Sequence, residues 1–420
     1  MKRDAFWSGL EAGVSAILSI VTAFAVARIV GPAELGVGAA AVAVHVVLWV
    51  VVNALFADAL VQLPSVNERI LSSAFWSSVA VGGIAMLLQA GAGWGLAVLL
   101  AEPRLLSMCL VLAAPLPLVG AAGVIQGLLT RERAYRSLAL RTLIGQGMGT
   151  VVGMSAALAG AGGWALVAQQ VVSTIFGALA LLLGRGWTPS RCLEWEAVRS
   201  LLKVGGPLTA STLVLIARYR LFAVLIGASA GPAVLGQVHI AFRLVDTVRE
   251  LTFTALWRLM LPVLSDHQHD RRAMLAQVDR WLRWCVAVIF PLCAILGIGL
   301  TQVVRVVMGP NWAAAGQAAV PLVALMAWSA LTFPAGVALV AAGQARFTLY
   351  ANVAGLIASA AGVVWLRPTN PWDAVMIWTV SQCLVSPYSL WVSARALGVS
   401  MLRPLTGGLA WRATGSASPQ

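Results

Sequence analysis

Hydrophobic residues fill the chain in long blocks, and short polar or turn-forming segments separate these blocks. A helix needs about 20 mostly apolar residues to cross a bilayer core of about 30 Å. No block alternates polar and apolar residues with the period of two that barrel strands show. The pattern therefore predicts an all-α polytopic membrane protein with twelve transmembrane spans, at about 6–30, 35–62, 74–100, 105–129, 138–160, 164–184, 203–227, 233–262, 281–305, 315–342, 347–366 and 374–397.

Composition supports a chain that is solvated largely by lipid. Of the 420 residues, 60% are hydrophobic and only 10% are charged, whereas a soluble domain carries about 25% charged residues. The net charge is +13, but the basic residues do not form a soluble domain that could bind nucleic acid, so nucleic acid is not expected as a partner. A basic excess in a membrane protein instead indicates cytoplasmic loops that face anionic membrane lipids.

The distribution of basic residues predicts the orientation. An even number of spans places both termini on one side of the membrane. Twenty Lys and Arg residues fall on that side, four on the opposite side and four inside spans. Positively charged loops stay in the cytoplasm, so both termini are predicted to be cytoplasmic. No metal site is predicted, because the five cysteines form no CxxC pair and the loop residues His267 and His269 have no evident third ligand.

A nearly repeated hexapeptide indicates an internal duplication. The sequence GPAELG at 31–36 returns as GPAVLG at 231–236, each time after an apolar block that begins at the cytoplasmic side. A second pair, GWALV at 163–167 and PWDAV at 371–375, opens spans six and twelve. The offset between copies changes only from 200 to 208 residues.

The position of the repeat predicts the domain organisation. Six spans separate the copies, so both halves have the same orientation in the membrane. We expect two parallel six-helix lobes around a central cavity, an N-terminal lobe at 1–199 and a C-terminal lobe at 200–398. A cytoplasmic tail follows at 399–420. Two similar lobes suit alternating access, in which a cavity opens to one side of the membrane and then to the other.

Span eight carries four ionisable residues on one helix face. His239, Arg243, Asp246 and Glu250 fall within an arc of about 60° at about 100° per residue, and Arg249 is predicted to point away from it. Arg243 is close enough to Asp246 to pair. The face is either a self-neutralised stripe that contacts a neighbouring span or part of a wet cavity, with Arg243 available to a phosphate.

Span seven contributes two further cations. Arg218 and Arg220 lie about 200° apart on a helix, so both cannot face one cavity. Arg220 is about 10 Å from the external turn and can extend outward to water. Arg218 lies deeper and is the preferred cavity cation.

The cytoplasmic ends of the spans suggest a gate. Asp58 in span two and Arg258 in span eight are 200 residues apart, and Glu11 lies low in span one. Opposite charges at equivalent places in two lobes predict an inner gate, and the alternative is that they lie at the headgroup boundary. His45 in span two is expected to be a hydrogen-bonded core histidine, with a proton relay as the alternative.

Several stretches together resemble a known family of transporters. They include AVARIVGPAELGVGAAAVAV at 25–44, QGLLTRERAYRSLAL at 126–140, LGQVHIAFRLVDTVRE at 235–250 and LPVLSDHQHD at 261–270. In order and spacing they resemble the polysaccharide-transporter branch of the multidrug, oligosaccharidyl-lipid and polysaccharide exporter superfamily. Similar proteins often carry an acidic residue in span seven and another in span two. Here span seven has no such acid, and Asn53 stands near the expected position in span two.

The resemblance implies a flippase rather than an enzyme. It implies a bacterial inner-membrane protein that moves polyprenyl-diphosphate-linked oligosaccharides to the outer leaflet, in cells that also hold a polysaccharide polymerase and a chain-length regulator. Such a flippase is expected to need no cofactor, and a proton or sodium gradient could drive transport through Asp246 or Glu250. An ion-coupled multidrug antiporter of the same superfamily is the alternative, although the spans hold more arginines than acids. A membrane glycosyltransferase is disfavoured because the external loops are short.

Overall fold

The computed structural model describes residues 2–184, 187–267, 270–341 and 346–397. Within these ranges the protein is helical, and no β-strand occurs in them. The α-helices are α1 (Lys2–Val30), α2 (Pro32–Gln62), α3 (Glu68–Leu99), α4 (Arg104–Ala113), α5 (Leu116–Arg131), α6 (Tyr135–Leu158), α7 (Trp164–Leu183), α8 (Trp195–Asp266), α9 (Arg271–Met308), α10 (Ala313–Ala341), α11 (Arg346–Leu366) and α12 (Pro371–Leu397). One 3₁₀ turn, Pro310–Trp312, precedes α10.

Each of the twelve predicted spans falls within this set of helices. Nine helical segments of the described ranges are long and apolar enough to cross a membrane. The fourth predicted span consists of α4 and α5. Pro115 lies between the two helices, and Pro117 lies in the first turn of α5, where a proline is tolerated. The seventh and eighth spans are the two parts of α8, which is broken at Gly231. The prediction of an all-α polytopic membrane protein with about twelve spans is therefore confirmed.

The two hexapeptides adopt the same backbone conformation. Gly31 has φ 82° and ψ 166°, and Gly231 has φ 84° and ψ 170°. Positive φ values of this kind are accessible to glycine and strained for other residues. Pro32 and Pro232 follow, where their fixed φ suits the first turn of a helix. The repeat in the sequence is thus also a repeat in local structure.

The two hexapeptides also contact each other. A Cβ atom added to Gly36 would lie 1.8 Å from the carbonyl oxygen of Pro232, and one added to Gly236 would lie 2.0 Å from the carbonyl oxygen of Pro32. The two contacts are reciprocal, so a local two-fold axis relates the two hexapeptides. Only glycine at both positions allows the two helix starts to approach this closely.

The chain divides into two compact units, Met1–Gly236 and Gln237–Gln420. In the first unit, α2 is largely buried and packs on α3, α5 and α7. Its core includes Phe56, Leu60, Leu71, Val124 and Leu201, which come from four helices. Lipid tails are as apolar as these side chains, so the packing of membrane helices is stabilised mainly by van der Waals contact.

In the second unit, α10 packs on both α9 and α12. Phe242 of α8 meets Trp378 of α12 edge to face, with 5.4 Å between ring centroids. Phe253 and Phe333 form a similar pair at 4.7 Å. The predicted lobe boundary at 199/200 remains a prediction, and the predicted tail at 399–420 lies outside the described residues.

The polar segment before α8 docks on α3. The Ser190 amide and hydroxyl lie 3.1 and 2.8 Å from the Ser72 hydroxyl, and the Glu194 amide donates to the Ser73 hydroxyl at 2.9 Å. Trp76 Nε1 donates to the Ser190 carbonyl at 3.0 Å. Small hydroxyl side chains on α3 thus hold the segment through hydrogen bonds to its backbone.

Candidate functional site

The polar face predicted for span eight lies on a regular stretch of helix. After Gly231 the backbone of α8 keeps helical angles to its end at Asp266. His239, Arg243, Asp246 and Glu250 therefore share one face, as their spacing predicts. The first three are half-buried, and Glu250 is exposed.

The ion pair on this face differs from the predicted one. Arg249 Nε donates to Asp246 Oδ1 at 2.8 Å, so the prediction that Arg249 points away from the face is wrong, and Asp246 pairs with Arg249. Side chains in a helix lean toward its N-terminus. A long arginine three residues after an aspartate therefore reaches back over the preceding turn and meets the carboxylate.

Arg243 consequently keeps its hydrogen-bond donors available. Its side chain is half-buried and makes no hydrogen bond or ion pair with any residue that the structure describes. A guanidinium group offers five N–H donors and is always charged. Such a group in an apolar helix can bind an anionic ligand.

Arg218 and Arg220 lie in the first part of α8. Both side chains are half-buried and both have interaction partners. The helix is regular here, so the two arginines leave it in opposite directions, as their spacing predicts. The assignment of Arg218 to a cavity remains a prediction.

The three gate residues have different surroundings. Glu11 is half-buried in α1 and accepts a hydrogen bond from the Thr142 hydroxyl at 2.6 Å. Asp58 in α2 and Arg258 in α8 are exposed. Their role as a cytoplasmic gate remains a prediction.

His45 does not have the hydrogen bonds that were expected of it. The side chain is completely buried in α2, and neither ring nitrogen has a hydrogen-bond partner among the described residues. The expectation of a hydrogen-bonded core histidine is therefore wrong. The neighbouring residues of α2 at 41–44 and 46–48 are all Ala, Val or Leu, so they offer His45 no side-chain hydrogen-bond partner.

A polar cavity within the first unit was not predicted from the sequence. It has a volume of about 270 Å³ and lies among α2, α5, α6 and α7. Trp49 contributes an aromatic surface to its lining, and the polar lining residues are Asn53, Arg141, Thr142, Gln146, Gln170, Ser173 and Thr174. Arg141 is one of the twenty basic residues that the sequence predicts to lie on the cytoplasmic side. Polar residues at similar depth in neighbouring spans were the signal that could have revealed the cavity.

Glycines place α6 against α7 beside this cavity. The spacing of Gly149 and Gly153 predicts close helix packing rather than a nucleotide-binding loop, and the structure confirms it. A Cβ atom on Gly149 would lie 2.7 Å from the carbonyl oxygen of Gln169 in α7. One on Gly153 would lie equally close to the Gln169 Cβ atom, at 2.7 Å.

A cluster of three charged residues joins helix ends in the first unit. Arg104 Nη2 donates to Glu34 at 2.9 Å, and Arg104 Nε donates to Glu102 at 2.8 Å. The Gly163 amide donates to the second oxygen of Glu34 at 2.9 Å. The hydrogen bond from Arg104 holds the pKa of the Glu102 carboxyl below its ordinary value. Val234 replaces Glu34 in the second hexapeptide, so this cluster is specific to the first copy.

Comparison with known sequences identifies the family. A family profile described as "Polysaccharide biosynthesis protein" matches residues 25–317. The succinoglycan biosynthesis transport protein ExoT of Rhizobium meliloti (strain 1021) is 26% identical over 272 residues. These are 64% of this chain and 54% of that protein, so the match spans about half the length of the relative.

Solved structures of transporters share the fold. An inward-facing multidrug resistance transporter of the MATE family in the MOP superfamily has a TM-score of 0.71 with 13% identity, covering 92% of this chain and 96% of its own. The lipid II flippase MurJ, in an inward closed conformation, has a TM-score of 0.73 with 11% identity, covering 99% and 94%. Such low identities show the fold alone. The profile covers more than half of the chain, so the resemblance predicted from the sequence is confirmed, and the chain belongs to the polysaccharide biosynthesis protein family.

Proposed function

We propose that the protein is a flippase for polyprenyl-diphosphate-linked oligosaccharide repeat units, which it moves from the cytoplasmic to the outer leaflet during polysaccharide biosynthesis. Membership of the polysaccharide biosynthesis family and the transporter fold support the general class. The observation that carries the specific proposal is Arg243. It is a half-buried cation on an apolar helix, and its side chain has no polar partner among the residues described.

The chemistry of the substrate explains why a cation is useful there. The lipid tail can remain in hydrocarbon throughout, but the diphosphate and the sugars cannot cross it unaided. Arginine binds phosphate through two parallel N–H···O bonds. A binding site that opens to the cytoplasm and then to the outside would carry the head group across while the tail stays in lipid.

The cellular setting forms part of the same proposal. We place the protein in a bacterial inner membrane with both termini in the cytoplasm, as the basic residues predict. It acts without catalytic chemistry of its own, beside a polysaccharide polymerase and a chain-length regulator. If a proton or sodium gradient drives the cycle, Glu250 is the better coupling group, because it is exposed and Asp246 is already paired with Arg249.

The proposal is tested by complementation of a deletion strain. Arg243→Ala should lower surface polysaccharide about tenfold or more and should cause the lipid-linked intermediate to accumulate, because a hydrogen bond to a charged group contributes about 1.5–3 kcal/mol. Arg243→Lys keeps the charge and should retain part of the activity. Arg280→Ala, an exposed arginine of α9, is the matched control and should export normally.

Two outcomes separate the hypotheses, and a second variant extends the test. Normal export by Arg243→Ala at normal protein level would contradict an anion site at this position. Arg218→Ala, measured in parallel, tests the cation predicted for span seven. A wild-type protein that exports cationic drugs and leaves the lipid-linked intermediate unchanged would favour the antiporter, which the fold similarity to the MATE transporter also permits.

A further inference from the structure

The polar cavity of the first unit has a composition that differs from that of the proposed diphosphate site. Amide and hydroxyl side chains from α2, α6 and α7 line it, together with one arginine and one tryptophan. Small residues also line it, including Ala122, Gly145, Gly177 and Ala178.

Several polar side chains of the cavity make no hydrogen bond with the residues that the structure describes. Gln146 Oε1 is buried and has no hydrogen-bond partner among the described residues. The side chains of Asn53 and Arg141 likewise make no hydrogen bond with any residue that the structure describes. Thr174 receives only a long contact from Gln170 Nε2, at 3.5 Å. Buried polar groups normally have partners, so donors and acceptors here are available to a polar ligand.

The charge of the cavity is nearly balanced. Arg141 is attracted electrostatically by Glu11, and Glu11 also accepts the hydrogen bond from Thr142 at 2.6 Å. An arginine compensated in this way binds a multiply charged phosphate less favourably than an uncompensated one. Its N–H donors still suit neutral oxygen acceptors. The cavity therefore fits an uncharged ligand that has many hydroxyl groups.

Trp49 supplies the apolar part of the lining. An indole ring presents a flat face with negative charge density, and C–H groups pack favourably on it. A sugar ring has such a C–H face and a rim of hydroxyls that act as both donors and acceptors. The volume of about 270 Å³ corresponds to about nine water molecules at about 30 Å³ each. This is the scale of one sugar ring rather than of a whole repeat unit.

We propose that this cavity is a recognition site for one sugar residue of the transported repeat unit, with Trp49 as the stacking surface and Asn53, Gln146 and Arg141 as the hydrogen-bonding groups. The inference rests on the proposed flippase function and adds a basis for selecting the sugar. Arg141 lies in the second turn of α6, near the end that the topology prediction places at the cytoplasmic side. That is the side on which the repeat unit is loaded.

Binding measurements on the purified protein test this site. Native mass spectrometry compares two probes: undecaprenyl diphosphate alone, and the lipid-linked oligosaccharide extracted from cells in which export is blocked. The wild type should bind the sugar-bearing lipid at least tenfold more tightly. Asn53→Ala and Gln146→Ala, tested separately, should lose most of this preference and should bind undecaprenyl diphosphate normally, which also shows that they are folded. Ser155→Ala is the control, because Ser155 lies on α6 with Gln146 and is exposed.

Failure of this inference is distinguishable from failure of the proposed function. If both cavity variants keep the wild-type preference, or if the wild type binds the two lipids equally, the sugar site is overturned and the diphosphate-binding flippase stands. If the wild type binds neither lipid, the proposed function itself is contradicted, and the sugar site fails with it.

Discussion

At the scale of single residues, charges outside the hydrocarbon have partners that the sequence could not reveal. Glu34 and the pair Glu102–Arg104 come from two separate places in the chain and meet at helix ends. The sequence also failed to identify the ion-pair partner within one helix, among Arg243, Asp246 and Arg249. Helical periodicity correctly placed the first two on a common face, but it could not choose between two arginines that both lie three residues from the aspartate.

The charged cluster predicts a dependence of stability on pH. Arg104 lowers the pKa of Glu102 in the folded protein, so the stabilisation is present above the ordinary glutamate value of about 4.3 and is lost as pH falls below it. The apparent melting temperature of the wild type should therefore fall more steeply than that of Arg104→Gln between about pH 5.5 and about pH 3.5. The effect should be small, because partly exposed pairs contribute about 0–1 kcal/mol. Parallel curves for the two proteins would contradict the assigned interaction.

At the scale of helices, the sequence predicted the elements well because their physical causes are local. Span length and turn residues set most boundaries to within several residues, and the duplicated hexapeptide marked two equivalent helix starts. The break between α4 and α5 was missed, although Pro115 and Pro117 were present in the fourth span. The cavity around Arg141 was missed for another reason. It depends on which faces of four helices meet, and a single sequence does not specify this.

The reciprocal contact between helix starts predicts equivalent effects of two substitutions. Gly36→Ala and Gly236→Ala should each lower the melting temperature of the purified protein, because each new methyl group would overlap a carbonyl oxygen of the other hexapeptide. Gly83→Ala in α3 is the control, since a Cβ atom there has no atom within 4 Å. It should leave stability unchanged or raise it by up to about 1 kcal/mol. A stable Gly36→Ala beside a destabilised Gly236→Ala would show that the contact is not reciprocal.

At the scale of the whole molecule, duplication and divergence together account for the function that we propose. The two copies keep the turn formed by Gly31 and Gly231, which fixes how a helix pair begins. The two copies differ in their charged and polar residues. Glu34 has no acidic counterpart in the second copy, and the polar cavity was found in the first unit. The fold class followed from composition and periodicity, whereas the sugar of the proposed substrate would be selected by hydrogen bonds, which leave no sequence motif.

A transport assay with purified components tests the central claim most directly. Proteoliposomes are prepared with the lipid-linked oligosaccharide in both leaflets, and membrane-impermeant periodate oxidises only the sugars on the outer surface. Vesicles with the wild-type protein should expose inner-leaflet sugars to the reagent over time, and vesicles with Arg243→Ala should do so much more slowly. If wild-type vesicles protect the inner-leaflet sugars as fully as protein-free vesicles do, the protein does not translocate this lipid and the account is contradicted.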